Sequence, residues 1–223
     1  MKGKLIVIEG VDGTGKSTQL KLLMERVKAE GFAVENIHFP KHEISFGKVV
    51  DAYLRGEFGA KENLSPEFVA MLYMTDFYES KKEMEKMLAQ GKVITLSRFF
   101  SSTLTYQVAL EKNDKETLWK WIKEACARLP QPDLTIVLDV PQSFSDKLMD
   151  NANRTEEYKK GAKHDQHESD KEFQRAVRAE YERNIKKSGW KRINCLEKED
   201  LLPPEKIHEL VWGEAKKVLK SNV

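Results

Sequence analysis

Residues 10–17 read Gly10-Val11-Asp12-Gly13-Thr14-Gly15-Lys16-Ser17, matching G-x-x-x-x-G-K-[ST] at every fixed position, and they follow the apolar run Leu5-Ile6-Val7-Ile8. A strand that breaks into a glycine-rich turn and continues as a helix is the context in which this pattern binds phosphate. The glycines let the backbone curl so that successive N–H groups point inward, and a helix starting near Lys16 adds its positive end. Gly10, Asp12, Gly13, Thr14, Gly15, Lys16, Ser17 and Thr18 are therefore candidates for binding a nucleoside triphosphate. Lys16 is placed to reach the β- and γ-phosphates, and the Ser17 hydroxyl to serve as a ligand for Mg²⁺. Leu20, Leu23 and Val27 then recur at the spacing of one apolar helix face.

The rest of the chain extends this first unit. Strands are expected over 5–9, 34–39, 93–96, 134–139 and 190–195, the first and fourth of them apolar almost throughout, with amphipathic helices between them. Such alternation predicts parallel βαβ units. The expected fold is a three-layer α/β/α fold of the P-loop NTPase type, with a five-stranded parallel sheet, formed by a single domain over 1–223. Ser65-Pro66-Glu67 reads as a helix start, with Ser as cap and Pro in the first turn. Ser101-Ser102 is expected to cap a later helix. On the helix after Ser65, packing alone does not account for Tyr73, Asp76, Phe77 and Glu79. Residues 150–170 are almost wholly polar and follow the fourth strand, which predicts a mobile lid on the face of the cradle.

Composition narrows the function. Lys and Arg number 38 against 36 Asp and Glu, so there is no overall charge argument for nucleic acid or a membrane surface. The longest apolar runs fall far short of the roughly 20 residues of a membrane span. Cys126 and Cys195 lie far apart without a metal-like spacing, which suits reduced thiols in a cytoplasmic protein. The five histidines show no ligand spacing and are expected at the surface or in loops.

A cradle alone does not separate kinases from other nucleotide hydrolases. The base-reading N-K-x-D pattern of GTPases is missing, whereas Lys41 and Arg98 stand at strand ends, where ligands bind in such sheets. Cations opposite the cradle suit a second, phosphorylated substrate. Together these residues resemble the thymidylate kinase family, nucleoside monophosphate kinases that move the γ-phosphoryl group of ATP to dTMP. The resemblance covers essentially the whole chain. It rests on Glu9-Gly10-Val11-Asp12-Gly13-Thr14-Gly15-Lys16-Ser17-Thr18-Gln19, on Phe39-Pro40-Lys41, and on Leu72-Tyr73-Met74-Thr75-Asp76. It rests also on Ser97-Arg98-Phe99-Phe100-Ser101-Ser102 with Tyr106-Gln107, on Pro132-Asp133-Leu134 leading into Leu138-Asp139-Val140, and on Asp165-Gln166-His167-Glu168 before Phe173.

The resemblance implies roles. Asp12 accepts from the 3′-hydroxyl of the acceptor, Arg98 clamps its phosphate, Tyr73 stacks on the base, and Tyr106 and Gln107 line the sugar and base. Phe39, Pro40, Lys41, Phe77 and Ser102 complete the acceptor-binding set. Gly13 stands where some members have arginine, which implies a catalytic cation supplied by the lid, with Arg154 and Lys163 as candidates beside Lys16 and Arg98. Mg²⁺ is the expected cofactor and a homodimer the expected assembly. The chain also departs from the family pattern. Ser97 replaces an aspartate that arranges Mg²⁺, a role Glu9 or Asp139 is expected to take over. Phe77 replaces a base-reading arginine, Lys41 an arginine, and Gln166 a frequent lid arginine. A kinase for another or a modified deoxynucleoside monophosphate, and a nucleotide-binding homologue with weakened catalysis, are the alternatives these changes leave open.

Overall fold

The computed structural model describes residues 2–43, 45–151, 167 and 170–220. The elements run β1 (Lys4–Glu9), α1 (Lys16–Ala29), β2 (Val34–His38), α2 (Ser45–Leu54), a 3₁₀ turn (Lys61–Asn63) and α3 (Pro66–Ala89). They continue β3 (Val93–Ser97), α4 (Phe100–Leu110), α5 (Lys115–Ala125), β4 (Leu134–Asp139), α6 (Gln142–Asn151) and α7 (Lys171–Ser188). The chain closes with β5 (Lys191–Asn194), β6 (Leu196–Glu197), β7 (Asp200–Leu201) and α8 (Pro204–Lys220).

Five strands form one parallel sheet in the order β2-β3-β1-β4-β5, as expected from the alternation of elements. The three central strands β3, β1 and β4 are buried on both faces, their successive side chains pointing to opposite sides of the sheet. Leu5 and Val7 of β1 pack with α3, α4 and α5, while Ile6 and Ile8 pack with α1 and α8. A third cluster joins Val11 and Val137 to Tyr106 of α4 and to Phe173, Val177 and Tyr181 of α7. Two helical layers thus fix the sheet, and β3, β1 and β4 lie side by side at its centre. Their carboxyl ends deliver Ser97, Glu9 and Asp139 to one edge.

Side-chain caps start several helices. Ser65 Oγ accepts from Phe68 N–H (3.2 Å), Asp114 from Thr117 N–H (3.0 Å) and Asp170 from Phe173 N–H (2.9 Å). Ser101 and Ser102 do not cap α4, which begins one residue earlier with Phe99 at its N-cap. Their hydroxyls turn inward to Glu9. The sequence also gave no warning of the short β6–β7 hairpin, whose two-residue strands are below the length at which periodicity is readable. Phe77 proves to be packing: it is buried edge-on against Phe39 and Phe99, with ring centroids 4.9 and 5.1 Å away.

Leu96 is fully buried in the cluster beneath α3 and α4. Leu96→Ala is expected to cost about 2–5 kcal/mol through lost transfer and a residual cavity, measured by urea unfolding. A cost below about 1 kcal/mol would show that this layer is loosely packed.

Candidate active site

The cradle sits at the β1–α1 turn. Gly10 has φ 143°, and a Cβ there would lie 2.8 Å from Thr14 Oγ1 and 3.0 Å from the Leu138 carbonyl, so β4 leaves room only for glycine. Thr14 Oγ1 donates to the Val11 carbonyl (2.9 Å) and closes the loop on itself. Gly15 forms the N-cap of α1 in the left-handed region. Lys16 Nζ lies across the mouth of the loop, donating to the carbonyls of Gly10 (3.0 Å) and Val11 (2.7 Å). Ser17 and Thr18 are exposed on the first turn of α1, whose leading N–H groups have no intrahelical acceptors. No group of three or more His, Cys, Asp or Glu among the described residues is arranged to hold a metal. An open serine hydroxyl beside a phosphate cradle nonetheless fits Mg²⁺, which keeps several waters and takes one or two protein ligands along with phosphate oxygens.

Asp12 ties this loop to the opposite wall. Its Oδ1 accepts from Arg98 Nη2, and its Oδ2 from Tyr106 Oη (3.0 Å) and Gln174 Nε2 (3.3 Å). The Arg98 guanidinium also lies 5.2 Å over the Tyr106 ring. Burial pushes the Asp12 carboxyl upward, but the charges of Arg98 and Lys16 and the Tyr106 hydrogen bond outweigh it and hold the group ionised, well below the usual range. Burial raises the Tyr106 phenol far above its ordinary value, so it remains a donor. Arg98 itself has φ 63°, a left-handed backbone uncommon outside glycine.

Tyr53, His167 and Gln174 complete this node; of the three, sequence reading singled out only His167, within the Asp165-Gln166-His167-Glu168 motif. Gln174 bridges Asp12 and the His167 carbonyl (2.9 Å), and His167 Nε2 meets the Tyr53 hydroxyl at 2.8 Å. The His167 ring packs against those of Tyr53, Tyr106 and Phe173, so this histidine is buried, not at the surface. Burial lowers its imidazole to about 3.

On the acceptor side, Phe39, Pro40 and Phe77 are buried, and the Phe39–Pro40 peptide is cis. Lys41 donates its backbone N–H to Asp76 (3.0 Å) and its Nζ to Glu83 (2.7 Å). Burial, opposed by that N–H, raises the Asp76 carboxyl to about 6. Tyr73 is half-buried, edge-on to Tyr53. Ser102 is bonded to Glu9 (2.5 Å). Gln107 is buried, and neither its amide nitrogen nor its oxygen has a partner among the described residues. The two acids expected to stand in for the residue at 97 are engaged: Glu9 by Ser101, Ser102, Tyr181 and Phe99 N–H, and Asp139 by Arg178 (2.5 Å) and Arg192 (3.6 Å). Arg154 and Lys163, with most of the expected lid, lie outside the described residues.

A phosphate cradle at the first strand–helix turn of a five-stranded parallel sheet, faced by a cation held on its own loop carboxylate, defines a P-loop phosphotransferase. The thymidylate kinase family model matches residues 8–203, and the chain belongs to that family. It is 30% identical to the thymidylate kinase of Homo sapiens over 161 residues, 72% of this chain and 71% of the relative. To that of Plasmodium falciparum it is 30% identical over 149 residues, 67% of each chain. Its fold matches a thymidylate kinase from Candida albicans with a TM-score of 0.70 at 22% identity, covering 98% of this chain and 94% of the other.

The buried histidine has a consequence for stability. His167 takes a proton near 6.5 when unfolded but only near 3 when folded. Between those values the unfolded state binds more protons, so stability falls as pH drops through the window, by up to about 1.4 kcal/mol per pH unit. Asp76 acts in the opposite direction between 3.8 and about 6. His167→Gln keeps a partner for Tyr53 and removes the titration. Its melting temperature is expected to fall less than that of the wild type between about pH 6.5 and 4, and parallel profiles would contradict the buried neutral imidazole.

Proposed function

We propose that this protein transfers the γ-phosphoryl group of ATP to dTMP, giving dTDP and ADP. The observation that carries this reading is Asp12: a carboxylate inside the triphosphate cradle pairs with Arg98 on the facing wall, so donor loop and acceptor cation meet at one residue. ATP phosphates lie along the N–H groups of residues 10–18, with Lys16 on the β- and γ-phosphates. Ser17 and phosphate oxygens hold Mg²⁺, which neutralises charge on the transferring group. Arg98 offers its planar fork to the acceptor phosphate. Asp12 then accepts from the 3′-hydroxyl, Tyr73 stacks on the thymine, and Tyr106 lines the deoxyribose. The unpartnered amide of Gln107 supports a place for it on the base edge, since it brings both donors and an acceptor. Phe39, Pro40, Phe77 and Ser102 shape the wall behind the acceptor, Lys41 adds a second cation, and Arg154 and Lys163 bring charge from the lid. Phosphoryl transfer needs positioning and electrostatics, and no covalent intermediate is invoked.

A second copy of the chain is the remaining partner. Phe68, Met71 and Tyr78 lie exposed along one side of α3, with exposed Phe58 against Phe68, and such a stripe supports a homodimer face. The near balance of charge gives no support to a nucleic-acid partner. Cys126 and Cys195 are buried free thiols, which supports work in the cytoplasm, and no described helix is long and apolar enough to cross a membrane.

The test is ADP release from ATP and Mg²⁺ across dTMP, dUMP, 5-substituted dUMPs, dCMP, dGMP and dAMP. Turnover is expected to peak on dTMP and to fall on the order of 10²–10³-fold in Lys16→Ala. A peak on another acceptor would reassign the substrate, and ATP binding without any turnover would support a weakened homologue. Light scattering is expected to give twice the chain mass, with Met71→Glu shifting it toward one; a monomeric wild type would contradict the α3 face.

A further inference from the structure

Glu9 is the last residue of β1, immediately before the cradle, and it is fully buried. Its Oε1 accepts from Ser101 Oγ (2.5 Å) and Phe99 N–H (3.3 Å), and its Oε2 from Ser102 Oγ (2.5 Å) and Tyr181 Oη (2.8 Å). All four donors are neutral. A carboxylate presents about four lone-pair sites, and here each oxygen takes two donors. This arrangement is saturated, which sets Glu9 apart from a group waiting for Mg²⁺ or its waters.

The donors all come from the start of α4 and from α7, and they surround one strained residue. Arg98 has φ 63°, and a non-glycine residue persists there only where its neighbours over-determine it. On one side Ser97 is fixed in the sheet, in register with Ile8 and His38. On the other, Phe99 is held by its N–H bond to Glu9 and by burial of its ring against Phe39, Phe77 and Phe100.

We propose that Glu9 is a positioning residue for Arg98: its carboxylate locks the turn that aims the guanidinium, and so controls acceptor-phosphate binding without touching the acceptor. This rests on the reading of Arg98 as the acceptor clamp.

The experiment titrates dTMP, thymidine and ATP–Mg²⁺ into wild type, Glu9→Gln, Tyr181→Phe, Arg98→Ala and the Glu9→Gln/Arg98→Ala double variant. Glu9→Gln is expected to weaken dTMP roughly tenfold, and thymidine and ATP by less than about twofold, because only the phosphate meets Arg98. In the Arg98→Ala background the same change is expected to add less than about twofold, as a shared pathway is non-additive. Should Glu9→Gln fail to fold, Tyr181→Phe removes one hydroxyl and carries the same comparison, with a roughly two- to threefold selective loss of dTMP. Equal weakening of all three ligands, or a full additional loss in the double variant, would overturn the proposal and leave Glu9 a general scaffold residue. Wild type that binds ATP but not dTMP would overturn the acceptor reading itself, and with it the role given to Glu9.

Discussion

The site depends on keeping one carboxylate ionised where little water reaches it. Burial alone would drive Asp12 toward its neutral form. Arg98, Lys16 and Tyr106 reverse that, from the turn after β3, the cradle and α4, and Gln174 of α7 adds a further hydrogen bond to the carboxylate. A buried charge of this kind is tolerated only when its partners are in place. The Asp12 cluster therefore requires the central strands and helices α4 and α7 to be correctly docked before either nucleotide arrives.

Beneath this cluster the structure supplies rigidity in two different ways. One is polar, with Glu9 drawing three hydroxyls and an N–H to the end of β1. The other is apolar, with Phe39, Phe77, Phe99 and Phe100 in edge and stacked contacts under the strand ends. Phe77 shows how a residue that departs from the family pattern is absorbed: it gives no hydrogen bond to a base, yet it contributes to the floor under Phe39-Pro40-Lys41. Burial of apolar area is the stronger term there, and it gives Phe77 a structural role.

Much of this was legible in the chain. Five strand-like stretches alternating with amphipathic ones, three of them strongly apolar, pointed to the parallel sheet, and Ser65-Pro66 to the start of α3, because these signals are local. The cradle and Arg98 were legible because motif spacing and a strand end are also local facts. What could not be read were long-range pairings. The hydroxyls of Ser101 and Ser102 look like caps in sequence, but a buried acid 92 and 93 residues away competes for them and wins. His167 lies in a polar stretch and looked like a surface residue, but Tyr53, 114 residues earlier, provides a buried partner for its ring. Glu9 read as a metal-side acid for the same reason, since nothing near it in sequence announces Tyr181.

The central claim is that donor and acceptor phosphate sites converge on Asp12. The most direct measurement is calorimetric binding of a single molecule in which adenosine and thymidine are joined 5′ to 5′ by five phosphates, beside ATP and dTMP alone. Linking two ligands that sit in adjoining sites in a compatible geometry is expected to raise affinity by 10² or more over either part, roughly as effective-concentration arguments give, and Arg98→Ala is expected to remove most of that gain. Affinity no greater than that of ATP, unaffected by Arg98→Ala, would contradict the convergence of the two sites.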